Sequence, residues 1–259
     1  MWFALPTAIC VGSNPGKIVE GDLRRTIMDT SARISVLQRV PLFAGLPAEA
    51  LGRIAGTALE VRVAKNDSPF RQGDPATHGH VVGWGRIRLD QATADGQNVV
   101  LRYMGPGDML GTVAVLRGIP YPATAVAVED SLLLAWSAPR LSELFNAYPA
   151  LALNAIRLVG TRLEELQQRL QEVATQRVER RIAGTLLRLV RQGGRRGEQG
   201  IEIPFSMSRQ DLAELTATTL HTVSRTLSAW EQQGIISARR SSHLVILQPH
   251  RLVAIAEEA

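Results

Sequence analysis

The sequence predicts an α+β chain in three parts: a small antiparallel β-barrel or sandwich, one long helix, and a C-terminal pair of helices backed by a β-hairpin. Three patterns carry that reading. Short β-branched runs punctuated by turn residues occupy residues 59–137, as strands with one buried face require. Ile156, Val159, Leu163, Leu166, Leu170 and Val173 then alternate three- and four-residue steps without a slip, which places them in one seam of a helix. Near the end, Leu220, Val223, Leu227 and Trp230 form a second helical stripe, expected to be buried, directly after a shorter helix that starts at Ser208.

Taken in order, residues 1–29 hold Pro6, Pro15 and several glycines with no sustained period, and are expected to be a poorly ordered extension. Residues 30–148 make the β-domain. Two short helices open it, one near Ser31 and one from Pro47, where Glu49 puts an acid in the first turn. The strand runs are Leu59-Glu-Val-Arg-Val, His80-Val-Val, Arg86-Ile-Arg-Leu, Val99-Val-Leu-Arg-Tyr, Thr124-Ala-Val-Ala-Val and Leu132-Leu-Leu-Ala-Trp. Asp95-Gly96 reads as a hairpin turn. Residues 149–176 form the long helix, with Ile156, Leu163 and Leu170 at heptad position a and Val159, Leu166 and Val173 at d. A helix packed on its own β-domain needs a broad apolar face, whereas Arg162, Glu164, Glu165, Gln167, Gln168 and Arg169 leave a narrow one. A parallel dimer is therefore expected. Residues 177–259 begin with a helix carrying Ile182, Leu186, Leu187, Leu189 and Val190, pass through a glycine-rich loop at 192–200, and end in a hairpin around Gly234-Ile-Ile and Leu244-Val-Ile-Leu.

Composition narrows the functional classes. The chain has 259 residues and a formal net charge of +5. Residues 176–259 hold 12 basic against 8 acidic side chains, residues 30–150 hold 11 against 10, and the rest balance. The basic excess lies with the C-terminal helix pair, where a phosphate backbone would be met. Cys10 is the single cysteine, which excludes a disulfide framework and a cysteine-held iron–sulfur cluster within one chain. No nucleophile–base pair or metal-ligand cluster is spaced for catalysis, so no enzyme is expected. No apolar run has the length that spans a bilayer, and a cytoplasmic protein without a membrane partner is expected.

The helix pair carries the most chemistry. Ser208 is placed to accept from the amide of Asp211 as an N-cap, with Leu212, Ala213 and Leu215 on the apolar side. The pattern breaks at residues 216–218, and Thr219 offers a second N-cap. His221, Thr222, Ser224 and Arg225 then occupy the first two turns opposite the apolar stripe. Such a face is either a solvated side of an ordinary helix hairpin or one that meets base edges in a major groove.

A resemblance separates these. The string Ser208-Arg-Gln-Asp-Leu-Ala-Glu-Leu followed by Thr222-Val-Ser-Arg-Thr-Leu resembles the helix-turn-helix of the Crp/Fnr family of bacterial transcription regulators. Gly105-Pro-Gly-Asp-Met-Leu-Gly and Ala123-Thr-Ala-Val-Ala-Val-Glu-Asp resemble the β-roll of cyclic-nucleotide-binding domains. Together they cover the chain from about residue 35 onward. The resemblance implies an N-terminal antiparallel β-roll (cyclic-nucleotide-binding-like), a long dimerisation helix, and a C-terminal winged helix-turn-helix. It implies a homodimer on a near-palindromic site in double-stranded DNA, with RNA polymerase as a further partner for an activator.

Arg225 is the first candidate base contact, because a guanidinium donates two parallel hydrogen bonds to guanine. Ser224 stands beside it. The family usually carries glutamate where this chain has His221; imidazole can donate where carboxylate only accepts, so one base pair of the usual half-site is expected to change. Thr219, Thr222 and Arg209 suit phosphate at the helix starts, and His243, Arg239 and Arg240 are wing candidates.

In nucleotide-binding relatives a glutamate holds the ribose, and an arginine followed by serine or threonine holds the cyclic phosphate. The matching positions here are Thr112, Pro122 and Ala123, so cyclic AMP is not expected. The expected effector pocket comprises Met104, Met109, Leu110, Thr112, Val113, Pro122, Ala123 and Thr124. Some relatives use haem, for which His78 and His80 are the axial candidates; without haem no metal is expected. The alternative reading is a β-roll regulatory subunit that binds a small molecule and controls a separate enzyme.

Overall fold

The computed structural model describes residues 9–10, 28–94, 98–237 and 243–257. Most of the expected extension, the Asp95-Gly96 turn, and Arg239 and Arg240 lie outside the described residues. The chain is α+β and clusters into two compact units, residues 1–96 with 102–162, and residues 163–259 with 97–101.

Up to the end of the long helix the elements run β1 (Ile9–Cys10), α1 (Thr30–Leu37), a 3-10 turn (Pro41–Phe43), α2 (Ala48–Gly56), β2 (Leu59–Val63), β3 (His78–Trp84), β4 (Ile87–Ala92), β5 (Asn98–Met104), β6 (Met109–Leu110), α3 (Thr112–Arg117), β7 (Thr124–Ala127), β8 (Ser131–Ser137), α4 (Ala138–Ala147) and the long α5 (Ala150–Thr175). The strands form two sheets, ordered β1-β2-β8-β3-β6 and β5-β4-β7. Apart from the parallel β1–β2 pair, the recorded pairings of these sheets are antiparallel.

The strand called from Leu132-Leu-Leu-Ala-Trp shows why the apolar run is continuous. β8 is buried on both faces, so its alternating side chains enter two cores. Leu134 and Trp136 join Val81, Leu37 and Ile54 on the helix side, and Leu133 joins Val82, Ile87 and Phe70 inside the roll. α1 starts at Asp29, whose carboxylate accepts from the Ala32 amide at 2.7 Å. Buried Glu60 is paired to Arg33 at 2.9 Å and accepts from the Met28 amide at 2.9 Å. Asn154, buried on α5, donates to the carbonyls of Leu42 and Ala44, both at 2.9 Å, and fixes the start of that helix on the roll.

In the second unit follow α6 (Val178–Gly193), β9 (Arg195–Arg196), β10 (Ile201–Glu202), α7 (Arg209–Leu215), α8 (Leu220–Gln232), β11 (Ile236–Ser237), β12 (Val245–Ile246) and α9 (Pro249–Glu257). Their strands make one sheet, β11-β12-β10-β9. Three features differ from expectation. The glycine-rich stretch 192–200 is not all loop, since Arg195 and Arg196 pair with Glu202 and Ile201 as an edge strand. α9, against which Arg180 Nε donates to the Ala256 carbonyl at 2.8 Å, carries no strong period of its own. Leu220 is not in the buried stripe: at the first position of α8 it is 47% exposed, while Val223, Leu227 and Trp230 are buried.

Candidate nucleic-acid interface and effector cavity

α7 begins with a complete capping box. The Asp211 amide donates to Ser208 Oγ and the Ser208 amide donates to the Asp211 carboxylate, both at 2.9 Å, which satisfies two orphan donors at the helix start. The helix stops at Thr216, and Ala217 adopts the left-handed region with φ of 50°, turning the chain toward α8. Thr219 caps α8 by accepting from the Thr222 amide at 3.2 Å, and the two threonine hydroxyls lie 2.9 Å apart. His221, Ser224 and Arg225 are spaced i, i+3 and i+4, so they share one face; His221 and Arg225 are exposed and Ser224 half-buried. Leu220 adds an exposed apolar side chain beside them.

The surrounding contacts hold this pair rigidly. Arg181 of α6 donates to the carbonyls of Thr216 at 3.0 Å, Ala217 at 3.2 Å and Gln176 at 2.7 Å. Arg169 donates to the Leu215 carbonyl at 2.7 Å, and Arg188 meets both carboxylate oxygens of Glu172 at 3.0 Å. The contacts to Leu215, Thr216, Ala217 and Glu172 each join residues 16 or more apart in the chain, so no local pattern announces them. Two phosphate candidates are already engaged: Arg209 lies 3.7 Å from the Glu231 carboxylate, and His243 Nδ1 lies 2.7 Å from that of Glu202.

On α5 the six heptad residues Ile156, Val159, Leu163, Leu166, Leu170 and Val173 are between 41% and 72% exposed. Apart from Leu153, which is 51% exposed, these six are the exposed large hydrophobics of the helix, and they form an apolar stripe that the described residues leave open.

A cavity of about 430 Å³ opens between the roll and the first turns of α5. Met109, Thr112, Val113, Pro122 and Ala123 line it, whereas Met104 and Leu110 are packed in the roll core. Thr124 is not on its wall, and its hydroxyl accepts from the Gln72 amide at 3.0 Å. Sequence reasoning missed the stacked Phe70 and Tyr121, with centroids 4.0 Å apart, and Ile156 and Val159, which present one side to the cavity. The heptad pattern gave those two residues a single role and so concealed the second. Arg117 and Arg162 are the charged side chains on the wall.

His78 and His80 face a separate space of about 260 Å³. Their rings are 6.3 Å apart on one face of β3. Burial, and then the neighbouring His78, push His80 down to about 3, and burial also lowers His78. Rings two residues apart on one strand face point the same way and cannot clasp a flat macrocycle from both sides. The space is also below the roughly 300–1,000 Å³ of ordinary ligand pockets. His78 and His80 therefore cannot ligate one haem iron from its two faces. Among the described residues no group of three or more His, Cys, Asp or Glu is placed to hold a metal ion, and no helix is long and apolar enough to cross a membrane.

A capped helix pair with a β-wing, preceded by a β-roll with a cavity against the first turns of α5, defines a winged helix-turn-helix regulator fused to a sensor-type domain. Residues 60–148 match the cyclic nucleotide-binding domain, and residues 180–255 match the Crp-like helix-turn-helix domain. The Cyclic AMP receptor protein of Thermus thermophilus is 32% identical over 197 residues, covering 76% of this chain and 88% of that protein. The Nitrogen fixation regulation protein FixK of Azorhizobium caulinodans is 29% identical over 184 residues, 71% of this chain and 73% of that one. The fold is shared with FixK2 from Bradyrhizobium japonicum, 23% identical, with a TM-score of 0.67 over 78% of this chain and 98% of that structure. The chain belongs to the Crp/Fnr family of transcription regulators, with a cyclic-nucleotide-binding-type domain and a DNA-binding helix-turn-helix.

Proposed function

We propose that the protein regulates transcription in the cytoplasm as a parallel homodimer. It joins through the α5 seam and lays α8 of each protomer in the major groove of a near-palindromic operator, contacting RNA polymerase where it activates. The β-roll senses an effector by chemistry other than the family's cyclic-AMP residues. The observation that carries the reading is the outer face of α8, where exposed His221 and Arg225 flank Ser224 over a buried stripe and a capped N-terminus. Arg225 reads a guanine, and His221 changes the neighbouring preference. Thr219, Thr222 and Arg209 lie toward phosphate, with His243 and its Glu202 partner on the wing. A relative named for cyclic AMP is 32% identical to this chain, yet Thr112, Pro122 and Ala123 line the cavity where the nucleotide's carboxylate and guanidinium partners would stand.

The test is selection from a randomised duplex library by the wild type and by Arg225→Ala. The wild type is expected to enrich a two-fold symmetric motif, and the variant to lose preference at one position of each half-site, worth about 1–3 kcal/mol per contact. An identical motif from both proteins refutes the assignment.

A further inference from the structure

The cavity between the roll and α5 is apolar within and cationic at its rim. Phe70, Tyr121 and Ala123 are buried and form its floor, while Val113, Leu116 and Arg117 are exposed and mark its mouth, with Arg162 half-exposed beside them. None of the described residues that line it is Asp or Glu. The floor is poor in polar partners. The Tyr121 hydroxyl is committed to the His78 backbone, donating to its carbonyl at 2.6 Å and accepting from its amide at 3.1 Å, so Tyr121 offers only its ring. Thr112 Oγ1 is buried and has no hydrogen-bond partner among the described residues.

We propose that this cavity binds a hydrophobic carboxylate, its apolar body over the Phe70–Tyr121 floor and its carboxylate at the rim beside Arg162 and Arg117. This deepens the effector reading above and rests on it for its regulatory meaning. A nucleotide carries ribose hydroxyls and a polar base edge along its whole length, and burying them against this floor leaves them unpaired. A carboxylate at the rim keeps its water and gains charge-assisted contacts, so only apolar surface has to leave solvent. A volume of about 430 Å³ suits a ligand of modest size. Ile156 and Val159 belong both to the wall and to the α5 seam, so occupancy acts on the dimerisation helix directly.

The full-length protein is titrated calorimetrically with decanoate and 2-naphthoate, with the matching alcohols decanol and 2-naphthol, and with cyclic AMP. At least one carboxylate is expected to bind about tenfold or more tightly than its alcohol and than cyclic AMP. Replacing both rim arginines (Arg117→Gln with Arg162→Gln) is expected to bring that carboxylate down to its alcohol's affinity while leaving the alcohol unchanged. Ala123→Phe, which fills the floor, removes binding of both, with circular dichroism reporting that the fold is kept. The proposal is overturned by equal affinity for acid and alcohol, by tighter cyclic AMP binding, by wild-type carboxylate binding in the double variant, or by no binding of either carboxylate. Library selection on the same preparations separates the two ideas. Carboxylate binding without a selected DNA motif removes the regulator reading alone, and a motif without carboxylate binding removes this one alone.

Discussion

His80 is the residue whose chemistry is most altered by the fold. Buried in the roll, its Nδ1 without a hydrogen-bond partner among the described residues and its pKa pushed down to about 3, it stays neutral in the native state, while the unfolded chain protonates near its ordinary 6.5. Between those two values the unfolded state binds more protons, so stability falls as pH drops, by up to about 1.4 kcal/mol per pH unit. His78, also lowered by burial, adds in the same direction. His80→Leu is expected to flatten the acid limb of a plot of urea midpoint against pH from 7 to 4; an unchanged slope contradicts the assignment. Legibility at single residues followed sequence distance. The Ser208–Asp211 and Thr219–Thr222 caps were readable because both partners lie three residues apart. The Arg181 contacts reach 35 and 36 residues away, and no local pattern announces them.

Among elements, the same locality decided what could be read. The six strand runs appear where β-branched residues cluster, because each has a face to bury, and β8 has two. α3 escaped because Gly111, at φ of 70°, ends β6 after two residues and begins a six-residue helix too short to show a period. Leu220 was misplaced because its spacing from Val223 fits the stripe, yet the first turn of α8 extends past the core it packs on. Two changes test how the elements are joined. Arg181→Met deletes three charge-assisted bonds to the carbonyls that close α5 and the helix turn, and is expected to cost about 2–4 kcal/mol, seen as a lower thermal midpoint with the wild-type circular dichroism spectrum. Leu166→Glu, at a seam position 64% exposed, costs the monomer little because it already meets water there. In a dimer it buries two carboxylates against each other, so sedimentation is expected to show a monomer at micromolar concentration where the wild type is a dimer. A dimeric variant refutes the seam.

In the proposed dimer, two-fold symmetry through that seam fixes what the whole assembly can recognise. A pair of α8 helices related by one axis meets DNA from one side only when half-site centres are about one helical turn apart, roughly 10–10.5 bp. The net surplus of basic over acidic residues is modest, so nonspecific attraction to phosphate is weak and affinity depends on both half-sites engaging together. Inserting 5 bp between the half-sites turns the second to the opposite face of the duplex, and affinity is expected to fall at least about a hundredfold, to the level of a lone half-site. Inserting 10 bp restores the face but moves the second half-site about 34 Å further along the axis; protomers joined as proposed, by a continuous seam rather than a flexible linker, cannot span it, and that affinity is expected to stay lost. Leu166→Glu gives the internal control, since a monomer binds all three duplexes equally and weakly. Fluorescence anisotropy at one fixed salt concentration measures the set, and undiminished binding of the wild type to the 5 bp insert means that the half-sites are read by independently placed domains, contrary to a seam-joined dimer.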